Sequence, residues 1–258
     1  LVKFDENTDL QEAANRLSKL GEISKVQGNS RIRRAYSGNY RTYTSEAVLQ
    51  KTAATRTLST APNDPGFVTQ WNLNNVGDID FGNSNAKSVT GCDVNCLEAW
   101  KKCTGDPSII VAVLDEGVMY THPDLAANMW VNEKEQLRAG KDADGNGYKD
   151  DRYGYNFVKN SGLISWTDAN DTGHGTHVAG IIAAVNNNGE GVSGIAGGDG
   201  TPNSGVKLMS CQVFDGEGGV TLDGEAKAIK YAADNGAVIL QCSWGYNSGD
   251  ANLVDGYT

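Results

Sequence analysis

Apolar residues in the second half of the chain gather into three runs of strand length: Ile109-Ile110-Val111-Ala112-Val113-Leu114, Val206 to Phe214, and Ala237 to Cys242. A strand with one wet face alternates apolar and polar side chains, so continuous runs predict strands covered on both faces. Between the runs, His174 to about Val185 and Leu222 to about Asn235 have helical spacing, with Gly236 placed to stop the second helix. Strand, helix, strand, helix, strand predicts an α/β fold: a mainly parallel sheet with right-handed crossovers and helices on both faces, in three layers.

The first sixty or so residues follow a different pattern. Val2-Lys3-Phe4 reads as a short strand, Leu10 to Leu20 as an amphipathic helix and Ile23 to Val26 as a second strand, together a small α+β unit. A basic stretch with Arg31, Arg33, Arg34 and Arg41 follows, then a helix near Ser45 to Leu58. Ala61-Pro62-Asn63-Asp64-Pro65 marks a boundary, because each proline biases its predecessor away from helix. The expected units are residues 1–60 and 61–258.

Composition narrows the function. With 32 acidic and 22 basic residues the formal charge is -10, which disfavours a nucleic-acid partner and leaves calcium or cationic peptides open. No stretch approaches the roughly 18 apolar residues of a membrane span. Five cysteines (Cys92, Cys96, Cys103, Cys211, Cys242) include no CxxC pair and leave at least one thiol unpaired within the chain. Cys96 and Cys103 stand about two helical turns apart, which suggests one buried helix face; a Cys92–Cys96 disulfide is the alternative. Such cysteine usage is compatible with either redox compartment.

Asp115 closes the strongest apolar run, at the carboxyl end of a strand, where open α/β sheets carry their functional groups. On its own it fits a cap, a metal ligand or an ion pair as well as catalysis. Asp171-Thr172-Gly173-His174-Gly175-Thr176-His177-Val178-Ala179-Gly180 places two of the chain's three histidines at a glycine-rich helix start. Zinc is not expected, because no HExxH motif accompanies them. His177 is expected to be a packed, hydrogen-bonded imidazole.

Val111-Ala112-Val113-Leu114-Asp115-Glu116-Gly117, His122-Pro123-Asp124-Leu125 and His174-Gly175-Thr176-His177-Val178-Ala179-Gly180 together resemble the subtilisin-like family of serine proteases, in order and spacing. The resemblance covers roughly residues 65 to 250. It implies that Asp115 is the orienting carboxylate and His174 the general base of an Asp/His/Ser triad in a serine endopeptidase. Imidazole suits that role, because it titrates near neutrality and can pass a proton from a serine hydroxyl to a leaving amine. Glu116 stands where many relatives carry a smaller residue and is expected at the cleft edge, outside the mechanism.

The resemblance further implies that Ser243-Trp244-Gly245 pairs with the substrate backbone as an added strand, with Trp244 able to narrow the P1 pocket. Gly216, Gly218 and Gly219 would line the other side, or serve only as turns. Asp142, Asp144, Asn146 and Asp150 put oxygen ligands in a loop like half of a calcium site, with Tyr153 where an EF-hand has glutamate; a solvated acidic turn is the alternative. Asp124 and Asn187 match positions of a structural calcium in many relatives, although Asn186 to Gly191 is slightly longer than usual.

Residues 1–60 resemble part of a propeptide that docks on the protease and inserts its tail into the cleft, with processing expected between about Thr55 and Asp64. The family's oxyanion asparagine and nucleophilic serine find no match among the 258 residues; Ser193, Ser204 and Ser243 lie in unsuitable loops. The expectation is therefore a portion of a longer protein, inactive alone and completed by the remainder of its domain. A secreted, periplasmic or cell-surface location follows from the resemblance. The competing expectations are an inactive peptide-binding module and a calcium-binding structural domain.

Overall fold

The structure, a computed structural model, describes residues 9–17, 19–20, 33–34, 61–78, 88–216 and 218–245. The strands expected at Val2–Phe4 and Ile23–Val26 and the helix expected near Ser45–Leu58 lie outside these residues. In chain order the elements are α1 (Leu10–Leu17), β1 (Arg33–Arg34), α2 (Cys96–Trp100), β2 (Ile110–Asp115), β3 (Gly154–Asn156), α3 (His174–Ala183) and β4 (Lys207–Gln212). Then come β5 (Phe214–Asp215), β6 (Gly218–Gly219), α4 (Leu222–Asp234), β7 (Ala237–Cys242) and β8 (Trp244–Gly245).

The three apolar runs become β2, β4 and β7, which with β3 form a four-stranded parallel sheet in the order β3-β4-β2-β7. Strand β2 is central, paired from Ile110↔Lys207 to Asp115↔Gln212 on one side and with β7 on the other. Its alternate residues separate two cores. Ala112 and Leu114 join Met209, Cys211, Ala228, Tyr231 and Ala232, so α4 covers one face. Val111 and Val113 join Ala179, Ala183 and Leu208, so α3 covers the other. Burial of both faces explains why β2 has no polar residue before Asp115.

A third, smaller core of Phe67, Leu73 and Cys96 tethers the segment after the proline boundary to α2. Here one expectation fails. Helix α2 ends at Trp100, with Lys101 as its C-cap, so Cys103 is exposed while Cys96 is buried, and the two share no face. All five cysteines are free thiols in the structure, including Cys92, which is exposed. Near the amino end, α1 stops at Leu17, short of the expected Leu20.

Candidate active site

Asp115 is fully buried at the carboxyl end of β2, and His174 opens α3 directly above it, 5 % exposed. His174 Nδ1 lies 2.6 Å from Asp115 Oδ1. A carboxylate can only accept, so the geometry assigns the Nδ1 proton to the histidine and leaves Nε2 as the basic nitrogen of the neutral ring. Asp115 Oδ1 also accepts the Glu116 backbone N–H at 2.7 Å, whereas Oδ2 is buried without a hydrogen-bond partner among the described residues.

Two glycines make this approach possible. A Cβ on Gly175 would stand 2.1 Å from the Glu116 carbonyl oxygen and 3.4 Å from Asp115 Cβ, so α3 can rest on the end of β2 only with hydrogen at that position. A Cβ on Gly117 would meet the Ser165 carbonyl oxygen at 1.8 Å. The turn after β2 is pinned further by two hydroxyls: Val118 N–H donates to Ser210 Oγ at 3.2 Å and Met119 N–H to Thr176 Oγ1 at 3.0 Å.

Two expectations about neighbouring residues are corrected. Glu116 is 1 % exposed, not at a cleft edge; its Oε2 accepts the backbone N–H of His174 at 3.0 Å and of Thr172 at 3.1 Å. A long acidic side chain beside a helix start with unpaired N–H groups satisfies them instead of reaching for water. His177 is exposed, not packed in the core. Its ring is still close enough to the protein that partial burial, followed by the neighbouring His174, lowers its pKa.

The segments expected to bind substrate form the short strands β8 and β6. Trp244 and Gly245 form β8 directly after β7, and the Trp244 indole N–H donates to the Leu114 carbonyl at 3.0 Å, which turns the ring toward the core beside Asp115. Ser243 Oγ accepts from Gln241 Nε2 at 3.0 Å. Gly218 and Gly219 form β6, which pairs antiparallel with β5 in a short hairpin. Gly216 N–H at its tip donates to Asp171 Oδ1 at 3.0 Å. Strand β1 pairs antiparallel with β8, Arg33 opposite Gly245 and Arg34 opposite Trp244, and also lies against β6.

The acidic loop is arranged differently from the expected alternating set. Oxygens of Glu135, Asp144 and Asp151 lie within 4.8 Å of one another. Asn146 Nδ2 bonds both Asp144 (3.3 Å) and Asp151 (2.9 Å). Asp142 instead accepts three backbone N–H groups of its own turn, from Gly145, Asn146 and Gly147, and Asp150 accepts from Gly140 N–H. Glu135 escaped the sequence reading because Glu133-Lys134-Glu135 looks like a solvated charge run. Burial raises the Asp151 carboxyl above its usual range, and Asp144 and Glu135 add to the rise. Buried carboxylates with hard oxygen donors suit calcium better than a softer ion.

A second trio, Asp168, Asp171 and Asp215, is also close, but Lys159 already supplies a cation, 2.6 Å from Asp168 and 3.7 Å from Asp215. Asp124 and Asn187 do not share partners: Asp124 accepts from Val192 N–H and Asn188 Nδ2, while Asn187 N–H and side-chain oxygen engage Asp64 and Asn63. Asp64, 2 % exposed and in a proline-flanked segment with no motif to mark it, organises that loop through Asn187, Asn188 and Ser193.

Fold and site define an α/β protein with a buried, hydrogen-bonded aspartate–histidine pair at the carboxyl edge of its parallel sheet. The chain belongs to the subtilase family, which it matches over residues 106–257. It is 41% identical over 138 residues to subtilisin-like protease 1 of Plasmodium vivax, covering 53% of this chain and 20% of that protein. With the thermophilic serine proteinase of Bacillus sp. (strain AK1) it shares 32% over 251 residues, 95% of this chain and 51% of the relative. The Aeromonas sobria serine protease, solved in complex with a chaperone, superposes with a TM-score of 0.50 at 30% identity, over 74% of this chain and 27% of that one. The chain thus spans between a fifth and about half of the curated relatives named here.

Proposed function

We propose that the protein containing these residues is a secreted serine endopeptidase of the subtilisin type, in which Asp115 and His174 act on a serine supplied from outside residues 1–258. The observation that carries this reading is the buried 2.6 Å contact between Asp115 and His174 at the carboxyl edge of the sheet. His174 Nε2 takes the serine proton as its oxygen attacks the peptide carbonyl, then returns it to the leaving amine. Asp115 holds the Nδ1 proton, fixes the tautomer and stabilises the imidazolium. Water then hydrolyses the acyl-enzyme by the same route.

The serine and the oxyanion donor come from the remainder of the domain, and the 258-residue chain alone is inactive. Support comes from β7, whose Val238, Ile239 and Leu240 are 67%, 50% and 37% exposed at the edge of the sheet, an apolar surface that further elements would cover. A peptide substrate lies as an added strand on Ser243-Trp244-Gly245, with Gly218 and Gly219 opposite. Residues 1–60 are a propeptide-like unit, a reading supported by β1, which occupies that same strand edge. Glu135, Asp144 and Asp151 would hold calcium, which would neutralise their clustered charge and stiffen the loop. Secretion agrees with the extracellular serine protease Nep of Natrialba magadii, 35% identical over 152 residues. No helix among the described residues is long and apolar enough to cross a membrane.

The test is peptide hydrolysis by the full-length protein and its Asp115→Asn variant. Loss of kcat by about 10⁴-fold with unchanged peptide affinity is expected. Equal turnover by both would refute the assignment.

A further inference from the structure

Helix α3 begins without a side-chain cap of its own. Its N-cap residue is Gly173, with φ 75° and no side chain to accept the N–H groups of the first turn. The carboxylate that serves the first of them comes from Glu116, just past the end of β2 and far away in sequence: Glu116 Oε2 accepts from His174 N–H at 3.0 Å and from the preceding Thr172 N–H at 3.1 Å, and Thr172 Oγ1 donates to Glu116 at 3.2 Å. The last residue of β2 and the first residue of the turn that follows it therefore hold the same histidine at two points. Asp115 takes the ring, and Glu116 takes the backbone to which the ring is attached. Because Glu116 is 1 % exposed and its oxygens are turned to the helix, it is not available to a substrate.

Resting on the reading of His174 as general base, we propose that Glu116 is a positioning residue for His174: by capping α3 from the turn after β2 it sets the backbone from which the imidazole reaches both Asp115 and the nucleophile. Geometry is the active property. A misplacement of about 1 Å at a reacting group is enough to cost about 10²-fold in rate. A glutamine would preserve all three contacts, since its carbonyl oxygen can take the position of Oε2 while its amide donates to the Thr172 hydroxyl, which also accepts. Aspartate keeps the charge but withdraws the oxygens by one methylene.

The test uses the full-length protein with E116A, E116D and E116Q, each titrated with an active-serine fluorophosphonate so that rates refer to folded, competent sites. Expected are kcat per titrated site about 100-fold lower in E116A and about 10-fold lower in E116D, with E116Q within about threefold of the parent and KM within about twofold throughout. The low-field proton signal of His174 Nδ1 is expected to persist in E116Q and to broaden or shift in E116D. E116D indistinguishable from the parent in kcat and in that signal, E116Q as slow as E116A, or losses confined to KM, would each overturn the assignment while leaving the protease reading intact. A parent protein with no titratable serine would overturn the protease reading, and this assignment with it.

Discussion

At the scale of single residues, the site depends on atoms that are missing as much as on those present. Gly175 has no Cβ, and the 2.1 Å such an atom would leave to the Glu116 carbonyl cannot be absorbed by a backbone held between β2 and α3. Gly175→Ala should therefore lift the start of α3 and lower kcat by about 10²-fold, at a cost of about 1–3 kcal/mol in stability. Measuring both kcat and thermal midpoint on the full-length protein checks this; a variant equal to the parent in both would show that the close approach is not required. Asp115, His174 and the surrounding glycines were legible in the sequence because each lies in a short local run and histidine is rare, three among 258 residues. Glu116 was misread, since its partners Thr172 and His174 lie on another element and no local pattern distinguishes a buried acid from a solvated one. His177 was misread for a related reason: periodicity cannot say which helix face ends at solvent.

At the scale of elements, apolar runs identified β2 and β4 because both faces of each are buried, and helical spacing identified α3 and α4 within a few residues. The same logic failed for α2, where a two-turn spacing between Cys96 and Cys103 outlasted a helix of five residues. The acidic loop was legible as a concentration of ligands but not as a ligand set. Asp142 is used by its own turn, and Glu135 arrives from a preceding segment to meet Asp144 and Asp151. The raised Asp151 carboxyl gives this cluster a pH dependence. With the folded value above the ordinary 3.8, the folded state binds that proton more tightly than the unfolded chain. Its contribution is full below 3.8 and is lost as pH rises through the folded value. Calcium would offset the exposed cost at neutral pH and compete with the proton at acid pH. The gain in thermal midpoint from calcium should thus be larger near pH 7 than near pH 4.5, worth about 2.7 kcal/mol at a hundredfold excess over Kd, and absent in Asp151→Asn. A calcium response that ignores both pH and Asp151 would place the ion elsewhere.

At the scale of the whole molecule, the described residues leave two kinds of edge. Strand β7 exposes apolar side chains where a sheet would continue, and β8 is paired by the chain's own Arg33–Arg34. Under the proposed peptidase reading, a peptide spanning residues 28–38 should therefore inhibit the full-length protein competitively, raising KM without changing kcat. Inhibition that leaves KM untouched would place that segment away from the substrate edge.

Under the proposed function, Asp115 and His174 form the acid–base half of a site completed by a serine from beyond these residues. The most direct measurement is fluorophosphonate labelling of the full-length protein, followed by mass-spectrometric mapping of the modified residue in the parent and in His174→Ala. One labelled serine outside residues 1–258, modified at least about 10³-fold more slowly in His174→Ala, is the predicted result. A label on a serine within this chain, or a rate indifferent to His174, would contradict the account.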